Sequence, residues 1–356
     1  MIETGNRQQT RRLRSASLKD VAERAGIGIA TASAVLNGSR TNTRVSDVTR
    51  ERVLAAAKEL DYHANALARA LTGQPTKTLG IVFGFPFALM SLPDPYAFAV
   101  LQGVVKGATE TGYNITLYTE PWHSEAQSSG VLRDGRTDGV LVIAVATYSD
   151  MIGSLTKAGI PLVAVSSCCK GYGVPSVDVD NAAGARLATR HLLDLGHRRI
   201  AHIRGDDHLT SGIERREAFA QEMAAAGSPE RPEYVLYGSY TGSAGYDRMK
   251  QLLALPQAPT AVFAANDVVA LGAIEAARDC GLNVPGDLSV VGFDDIPIPA
   301  LVSSGLTTIR QPLDEIGVMA VRMLAALVRD EDVSPVSRTL EPELIVRHST
   351  APPRLR

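Results

Sequence analysis

The chain is poor in cysteine and contains no long hydrophobic segment. Its 356 residues include three cysteines, of which Cys168 and Cys169 are adjacent and Cys280 is isolated. An odd number of cysteines without the spacing of metal ligands is most simply explained by reduced thiols. No apolar run approaches the roughly 20 residues of a membrane span, and the start, MIETGNRQQTRRLR, lacks a hydrophobic signal segment. These absences predict a cytoplasmic protein that has no membrane partner.

The sequence also lacks a set of residues typical of an enzyme. A catalytic site would need a nucleophile beside a base, or a group of metal ligands, and the seven histidines are scattered along the chain. The segment Gly196-His197-Arg198-Arg199 is explained more simply as a helix end before a strand. We therefore predict no catalytic residues, no metal site and no cofactor.

Charge is distributed unevenly along the chain. Residues 1–75 hold twelve Lys/Arg against seven Asp/Glu, a net charge of +5, whereas the whole chain has a net charge of -2. A basic segment attached to an acidic remainder is typical of a nucleic-acid-binding head. With 45% hydrophobic and 21% charged residues, a chain of this length can bury more than one core, and two or three domains are expected.

Two short helices joined by a turn are predicted near the N-terminus. Ser17 stands three residues before Asp20, the spacing of a helix-capping pair, and apolar residues follow at helical intervals until Gly26. A second helix is predicted from about Ile29 to Leu36, and it ends at Asn37-Gly38, residue types that tolerate a left-handed backbone. Two helices across a glycine-containing turn predict a helix-turn-helix motif.

A third, longer helix is predicted from its cap at Ser46 to Leu60. Its predicted buried stripe consists of Val48, Val53, Leu54, Ala57 and Leu60. Such stripes also occur in a small bundle that merely packs, but the local excess of positive charge favours a head that binds DNA.

Beyond the head, short β-type segments alternate with amphipathic helices. The first run of predicted strands is TLGIVFG, YNITLYT, GVLVIAV and PLVAVS, and after Asp180 a second run contains RIAHIR, YVLYG, AVFAA and LSVVGF. Strands separated by helices predict βαβ units with parallel sheets, and two runs predict two lobes. A ligand is expected beyond the carboxyl ends of the strands, in a cleft that closes by hinge motion.

Several motifs resemble the LacI/GalR family of bacterial repressors. In the head these are DVAERAGIG, TASAVLNGS, VSDVTRERVLAAAKELDY and NALARAL, in the family's order and spacing apart from a three-residue insertion at Thr41-Asn42-Thr43. In the body they are TLGIV, GHRRIAHI, FAANDVVALGAIEAA, VPGDLSVVGFDD and LTTIRQP. The resemblance implies an α/β fold, with an N-terminal helix-turn-helix head of three helices and a two-lobed, periplasmic-binding-protein-like body with parallel sheets.

The resemblance also implies a function. The expected function is that of a ligand-responsive, sequence-specific transcriptional regulator, in the first place a repressor, whose affinity for a double-stranded DNA operator changes when a small-molecule effector binds the cleft. The effector would be a sugar or a related metabolite, and the regulator a homodimer, with a tetramer as the alternative. A solute-binding protein or sensor with weak or altered DNA binding is the second hypothesis, although it would need export and would give the basic head no purpose. Whether the effector releases or recruits DNA binding is left open.

Five segments are expected. They are a basic disordered arm (1–16), the helix-turn-helix domain (17–62), a hinge helix with linker (63–76), the effector-binding and dimerisation domain (77–349) and a tail (350–356). The lobes are predicted at about 77–179 plus 308–332 and at 180–307 plus 333–349, with chain crossings near Val179, Thr307 and Val333.

The DNA-contacting residues follow from the resemblance, position by position. They are Ser17, Lys19, Ile29, Ala30, Thr31, Ser33, Ala34, Asn37, Thr49, Tyr62, Asn65, Ala68 and Leu71. The positions that usually read bases are here Ile29, Ala30 and Ala34, whose side chains cannot donate or accept hydrogen bonds. Contacts with thymine methyl groups and readout of DNA shape are expected in their place.

The segment from Asn65 to Leu71 has two explanations. By itself it could form a helix too short to be stable, or a flexible linker that continues into Thr72-Gly73-Gln74-Pro75. The resemblance implies a hinge helix that folds against its twin in the minor groove, with Leu71 as a wedge and Ala68 allowing close approach.

Six residues are expected in the effector cleft. They are Tyr96, Ser166, Arg215, Tyr240, Asn266 and Asp294. Asn266 and Asp294 directly follow predicted strands, where Asn and Asp also serve as helix caps, and a cap is the preferred explanation for Asp267. Arg215 could instead lie on a solvated face, and Tyr240 could be ordinary packing. Many relatives have a carboxylate at the position of Ser166, so the ligand class is left open.

Overall fold

The chain divides between Thr76 and Lys77 into two compact units, which we call the head and the body. The structure is a computed structural model that describes residues 16–37, 45–62, 75–84, 95–167, 169, 171–297, 305–334 and 336–354. Within these ranges, no helix combines the length and the apolar character needed to span a bilayer.

The head consists of three helices around a small apolar core. They are α1 (Leu18–Ala25), α2 (Ile29–Asn37) and α3 (Asp47–Glu59). The predicted capping pair of α1 is confirmed, because the Ser17 amide donates to Asp20 Oδ2 at 2.7 Å and the Asp20 amide donates to Ser17 Oγ at 3.3 Å. The core residues are Val21, Ala22, Ala25, Ala32, Val35, Val53, Ala56 and Ala57.

The predicted buried stripe of α3 is wrong at two positions. Val48 is 68% exposed and Leu54 is 50% exposed. The buried residues of this helix are Val53, Ala56 and Ala57, whose spacing of three and four places them on one face. Leu54 follows Val53 directly, so its side chain points about 100° away from that face.

Gly26 is a position where the head should not tolerate a larger residue. It ends α1 with a φ of 64°, and a Cβ at this position would lie 3.0 Å from Arg52 Nη2. We expect Gly26→Ala to destabilise the head by about 1–2 kcal/mol, because this left-handed backbone is strained for a residue with a Cβ. Amide hydrogen exchange in α1 of the full chain should therefore become about tenfold faster.

The control for this substitution is Gly28→Ala. A Cβ on Gly28 would meet no atom within 4 Å, so exchange in α1 should stay close to that of the unchanged chain. Equal exchange rates in the two variants would contradict the role that we assign to the Gly26 backbone.

The body alternates strands and helices as the sequence predicts. In chain order its elements are β1 (Thr78–Phe83), α4 (Pro95–Thr111), β2 (Asn114–Tyr118), α5 (Glu125–Leu132), β3 (Gly139–Ile143), α6 (Met151–Lys157), β4 (Leu162–Val165), β5 (Ser176–Val179), α7 (Asn181–Asp194), β6 (Ile200–Arg204), α8 (Thr210–Ala225), a 3-10 turn (Pro232–Tyr234), β7 (Val235–Tyr237), α9 (Gly242–Leu253), β8 (Ala261–Ala264), α10 (Asp267–Asp279), β9 (Ser289–Val291), β10 (Thr308–Arg310), α11 (Leu313–Val328), β11 (Ser337–Leu340) and β12 (Glu343–Ile345).

These elements form two lobes. The first lobe is a parallel sheet in the order β11-β5-β4-β3-β1-β2, with α4 and α11 on one face and α5 and α6 on the other. The second lobe is a parallel sheet in the order β7-β6-β8-β9, with α7 and α8 on one face and α9 and α10 on the other. An antiparallel pair, β10 with β12, packs against the second lobe.

The chain crosses between the lobes three times, and two crossings lie later in the sequence than predicted. Residues 308–310 belong to the second lobe, because β10 pairs with β12 there. Residues 337–340 belong to the first lobe, because β11 pairs with β5. The predicted boundaries at 307 and 333 were therefore wrong, since local sequence does not reveal which distant strand a short strand joins.

The C-terminal residues from 350 to 354 pack on the second lobe. His197 Nε2 lies 2.9 Å from the Ala351 carbonyl oxygen, and Arg354 Nη1 donates to Asp287 Oδ1 at 2.7 Å. The second lobe therefore extends beyond residue 349, where the sequence predicts that a tail begins.

Candidate functional site

A cavity of about 440 Å³ lies between the two lobes, and residues of both lobes line it. The structure brings all the predicted effector residues to its wall, namely Tyr96, Ser166, Arg215, Tyr240, Asn266 and Asp294. The position agrees with the general rule that parallel sheets bind ligands beyond the carboxyl ends of their strands. The volume lies in the range of sites that enclose a small organic ligand.

Arg215, on α8, supplies the positive charge of the cavity. It is 4% exposed, whereas its neighbour Arg216 is exposed, so the solvated-face explanation applies to Arg216 and not to Arg215. Arg215 Nε donates to Asn181 Oδ1 at 2.9 Å, and Nη1 donates to the Ala265 carbonyl oxygen at 2.7 Å. The guanidinium carbon lies 3.5 Å from the centre of the Phe293 ring, which adds a cation–π contact. These contacts fix the orientation of the guanidinium.

Asp294 faces Arg215 and has a strained backbone. Its φ is 117°, a backbone angle that residues other than glycine rarely adopt. Such backbone strain is common at ligand sites. The Asp294 amide donates to the Ile309 carbonyl oxygen at 2.7 Å, and Gln311 Nε2 donates to Asp294 Oδ1 at 2.6 Å. Arg215 Nη1 lies 3.9 Å from the same carboxylate oxygen. The segment at the second lobe crossing therefore holds Asp294 in place.

The preferred explanation of Asp267 as a helix cap is wrong, whereas the predicted ligand contact of Asn266 stays a prediction. The helix cap of α10 is Asn266, whose Oδ1 accepts a hydrogen bond from the Val269 amide at 2.8 Å. Asp267 was predicted as the cap, but it is the first helical residue and is 2% exposed. Its carboxylate accepts hydrogen bonds from the Ile296 amide and the Thr308 hydroxyl. Burial, together with the Asp294 carboxylate, raises the pKa of Asp267.

The first-lobe wall contains a chain of hydrogen bonds that ends on a carboxylate. The Tyr96 hydroxyl donates to Ser166 Oγ at 2.8 Å, and Ser166 Oγ donates to Asp178 Oδ1 at 3.2 Å. Asp178 keeps part of its surface open to the cavity but lies away from bulk solvent, and this burial raises its pKa to about 6. A carboxylate is therefore present beside Ser166, although a different strand supplies it.

The second-lobe wall contains two tyrosines with fixed hydroxyls. The Tyr240 hydroxyl lies 3.0 Å from Ser211 Oγ, and the Tyr237 hydroxyl donates to Asp206 Oδ2 at 3.0 Å. Burial raises the pKa of Tyr240, so its hydroxyl keeps its proton at neutral pH. These tyrosines give the cavity aromatic surface and hydroxyl groups together.

Sequence reasoning missed several polar residues of the cavity, among them Asp178, Asn181, Asp206 and Gln311. Asp178 and Asn181 lie on either side of the first lobe crossing, and Gln311 follows β10 at the second crossing. Polar residues at the crossings were thus a signal that could have found them. Asp206 lies two residues after β6, the same strand-end signal that identified Asn266.

Within the described part of the chain, the charged side chains that line the cavity are mostly negative. They are the carboxylates of Asp178, Asp206 and Asp294 and the guanidinium of Arg215. Among the described residues no group of three or more His, Cys, Asp or Glu has an arrangement that could hold a metal ion. The cavity therefore offers hydrogen-bonding groups, aromatic surface and an excess of negative charge.

The residues predicted to contact DNA differ in exposure. Ser17, Lys19, Ile29 and Ala30 are exposed, whereas Thr31, Ser33, Thr49 and Tyr62 are half-buried. Ala34 is 8% exposed, so two of the three apolar reading positions present their side chains at the head surface. Asn37 is the last residue of α2. Asn65, Ala68, Leu71 and the insertion at 41–43 lie outside the described residues.

Comparison with known proteins gives matches in both units. A family model described as bacterial regulatory proteins, lacI family, matches residues 17–65, and a model of a periplasmic binding protein-like domain matches residues 189–350. The HTH-type transcriptional regulator CelR of Thermobifida fusca is 34% identical over 344 residues, which are 95% of this chain and 99% of the relative. The HTH-type transcriptional repressor PurR of Erwinia tasmaniensis is 36% identical over 343 residues, 94% of this chain and 97% of the relative.

Solved structures agree with these matches. A complex of the transcriptional regulator CelR with cellobiose aligns with a TM-score of 0.72 at 32% identity, covering 94% of this chain and 99% of that chain. The lac repressor dimer bound to operator and the anti-inducer ONPF aligns with a TM-score of 0.80 at 26% identity, covering 95% of this chain and all of that chain. The likeness therefore extends over head and body.

Proposed function

Because this chain belongs to the LacI family of bacterial regulatory proteins and is a helix-turn-helix transcriptional regulator, we propose that it represses transcription under the control of a small molecule. The head binds an operator in double-stranded DNA, and a ligand in the cavity changes the affinity for that operator. We place this activity in the cytoplasm and assign it to a homodimer, which carries two heads for a two-fold operator. The solved lac repressor dimer on its operator supports this assignment.

One observation carries the proposal for the effector. Six residues from separate parts of the sequence line one cavity between the lobes, and Arg215 is held there with its side chain already oriented. A ligand that touches both lobes stabilises one relative position of the lobes over others. The cavity is therefore the effector site of this regulator.

The proposed effector is a sugar or a related metabolite. Carboxylates, amides and one guanidinium in the cavity wall match the alternating donors and acceptors of sugar hydroxyls, and Tyr237 and Tyr240 offer apolar ring faces. The CelR relative was solved with cellobiose, which supports the choice of saccharides as the first ligands to test.

The proposed DNA contacts are those named from the sequence. Ile29 and Ala30 at the exposed start of α2 face the major groove and contact thymine methyl groups, while the hydroxyls of Ser17, Thr31 and Thr49 contact phosphates. Asn65, Ala68 and Leu71, which lie outside the described residues, complete the proposed set of DNA contacts. Because effector and operator binding are coupled, each must change the affinity of the other by the same factor.

The proposal is tested with DNA selected by the protein itself. The full chain is used to enrich duplexes from a random pool, and the affinity for the enriched duplex is titrated at fixed salt with and without saccharides. We expect a two-fold sequence motif, an affinity at least about 1,000-fold above that for unrelated DNA, and a change of at least about fivefold with a cavity ligand. A pool that yields no common motif would refute the repressor assignment.

A further inference from the structure

The first-lobe wall presents an acceptor to the cavity. The Tyr96 hydroxyl donates to Ser166 Oγ, and the Ser166 hydroxyl donates to Asp178 Oδ1. Both hydroxyl protons in this series of hydrogen bonds therefore point towards the carboxylate. Asp178 Oδ1 also accepts a hydrogen bond from the Val179 amide at 2.8 Å. No hydrogen bond to Asp178 Oδ2 comes from the described residues, and the residue lines the cavity. This oxygen is available to a donor on a ligand.

The second-lobe wall offers little positive charge in compensation. Among the described residues of the lining, Arg215 is the cationic one, and its Nε and Nη1 donate to Asn181 Oδ1 and the Ala265 carbonyl oxygen. Its charge also lies close to the Asp294 carboxylate. Asp206 adds a further carboxylate to the lining, held by the Tyr237 hydroxyl and the His208 amide. Among the described residues, an anionic ligand would therefore meet carboxylates in both walls and a single guanidinium, of which Nε and Nη1 already donate to protein groups.

We propose that Asp178 is a ligand-binding residue that determines charge specificity, so that the cavity takes a hydroxyl-rich ligand without negative charge and rejects its anionic counterparts. The hydrogen bonds from Tyr96 to Ser166 and from Ser166 to Asp178 hold this carboxylate in position. Sugar hydroxyls and ammonium groups donate to this carboxylate, whereas phosphate and carboxylate groups are repelled. This inference rests on the proposed function, because it assigns the ligand class of the same site.

The test compares saccharides that differ in charge. The full chain is titrated calorimetrically with cellobiose and cellobionate, with glucose and glucose 6-phosphate, and with glucosamine. We expect at least one of cellobiose, glucose and glucosamine to bind. The anionic compound of the same sugar, cellobionate or glucose 6-phosphate, should bind at least 100-fold more weakly. An anionic member that binds as tightly as its neutral counterpart would overturn the proposal, and so would a panel in which no compound binds.

The variant Asp178→Asn tests the residue itself. Its amide oxygen can still accept from Ser166, but the charge is lost, so neutral and amino sugars should bind about tenfold more weakly and the discrimination against the anionic partner should fall by at least tenfold. Asp180→Asn is the matched control, because Asp180 caps α7 and its Oδ1 accepts from Ala183. Unchanged discrimination in Asp178→Asn would overturn the assignment, and the wild-type titrations decide the charge rule if this variant does not fold.

Operator binding measured on the same samples distinguishes a failure of the charge inference from a failure of the proposed repressor function. If the chain binds its selected operator and an anionic sugar shifts that affinity, the charge inference is wrong and the proposed repressor function stands. If neutral sugars bind and no duplex is enriched, the ligand class is right and the repressor function fails.

Discussion

Replacing Arg215 with methionine is expected to abolish the response to cavity ligands, with at least a 100-fold loss of ligand affinity. Methionine preserves much of the side-chain length and the packing against Phe293, but it removes every donor of the guanidinium. Asn181 Oδ1 and the Ala265 carbonyl then lose the donors that lie 2.9 and 2.7 Å away. Asp294 also loses the guanidinium that lies 3.9 Å from its carboxylate and keeps the hydrogen bond from Gln311 Nε2, so the variant should be less stable than the unchanged protein.

Two further variants make this expectation specific. Arg216→Met removes an exposed arginine from the next position of α8 and should leave ligand binding unchanged. Arg215→Lys keeps the charge but not the planar set of donors, so it should fold more stably than the methionine variant and still bind ligand about tenfold more weakly. Ligand titrations and melting temperatures of all three variants are the measurements. An Arg215→Met protein that still responds to ligand would remove Arg215 from the site.

Deleting residues 1–76 is expected to abolish operator binding and to leave ligand binding intact. The division between Thr76 and Lys77 separates the head, with its own apolar core, from the body, to which the described residues of the cavity lining belong. The deletion also removes the net positive charge of the N-terminal segment, and phosphate contacts depend on such charge. The affinity for the selected operator should fall by at least about 1,000-fold, to the level of non-specific binding or below.

Ligand affinity is the internal control of the deletion. Residues 77–356 should bind the cavity ligand within about threefold of the full chain in the absence of DNA, because all the described residues that line the cavity belong to the body. Gel-shift titration and calorimetry on the same preparation give both quantities. Retained sequence-specific DNA binding by the body would show that the head is not the DNA-binding unit.

The sequence predicted the ends of α1 and the strands of the body, but not the buried face of α3. Helix α1 begins after Ser17 and ends at Gly26, as these residue types predict. Segments such as AVFAA form buried strands that are followed by polar residues. The lobe boundaries were not predictable in the same way. The strand β11 joins β5 more than 150 residues earlier in the chain, and such a partnership depends on the three-dimensional arrangement rather than on local pattern.

The site was predictable where a residue matches a family position or follows a strand. Arg215 and Asp294 were found on these grounds, and both line the cavity. Asp178 was missed because its closeness to Ser166 arises from strand register, in which β4 and β5 pair Val165 with Val177. Residues one step beyond such a pair lie side by side in space although twelve positions separate them in sequence.

The triple crossing of the chain also constrains the order in which the body can be completed during synthesis. The sheet of the first lobe lacks an edge strand until Ser337–Leu340 has been made, and the β10–β12 pair of the second lobe requires Glu343–Ile345. Both lobes therefore remain incomplete while most of the body has already left the ribosome. A nascent chain that stops before residue 337 would expose β5 as an open sheet edge, and such edges invite pairing with other chains.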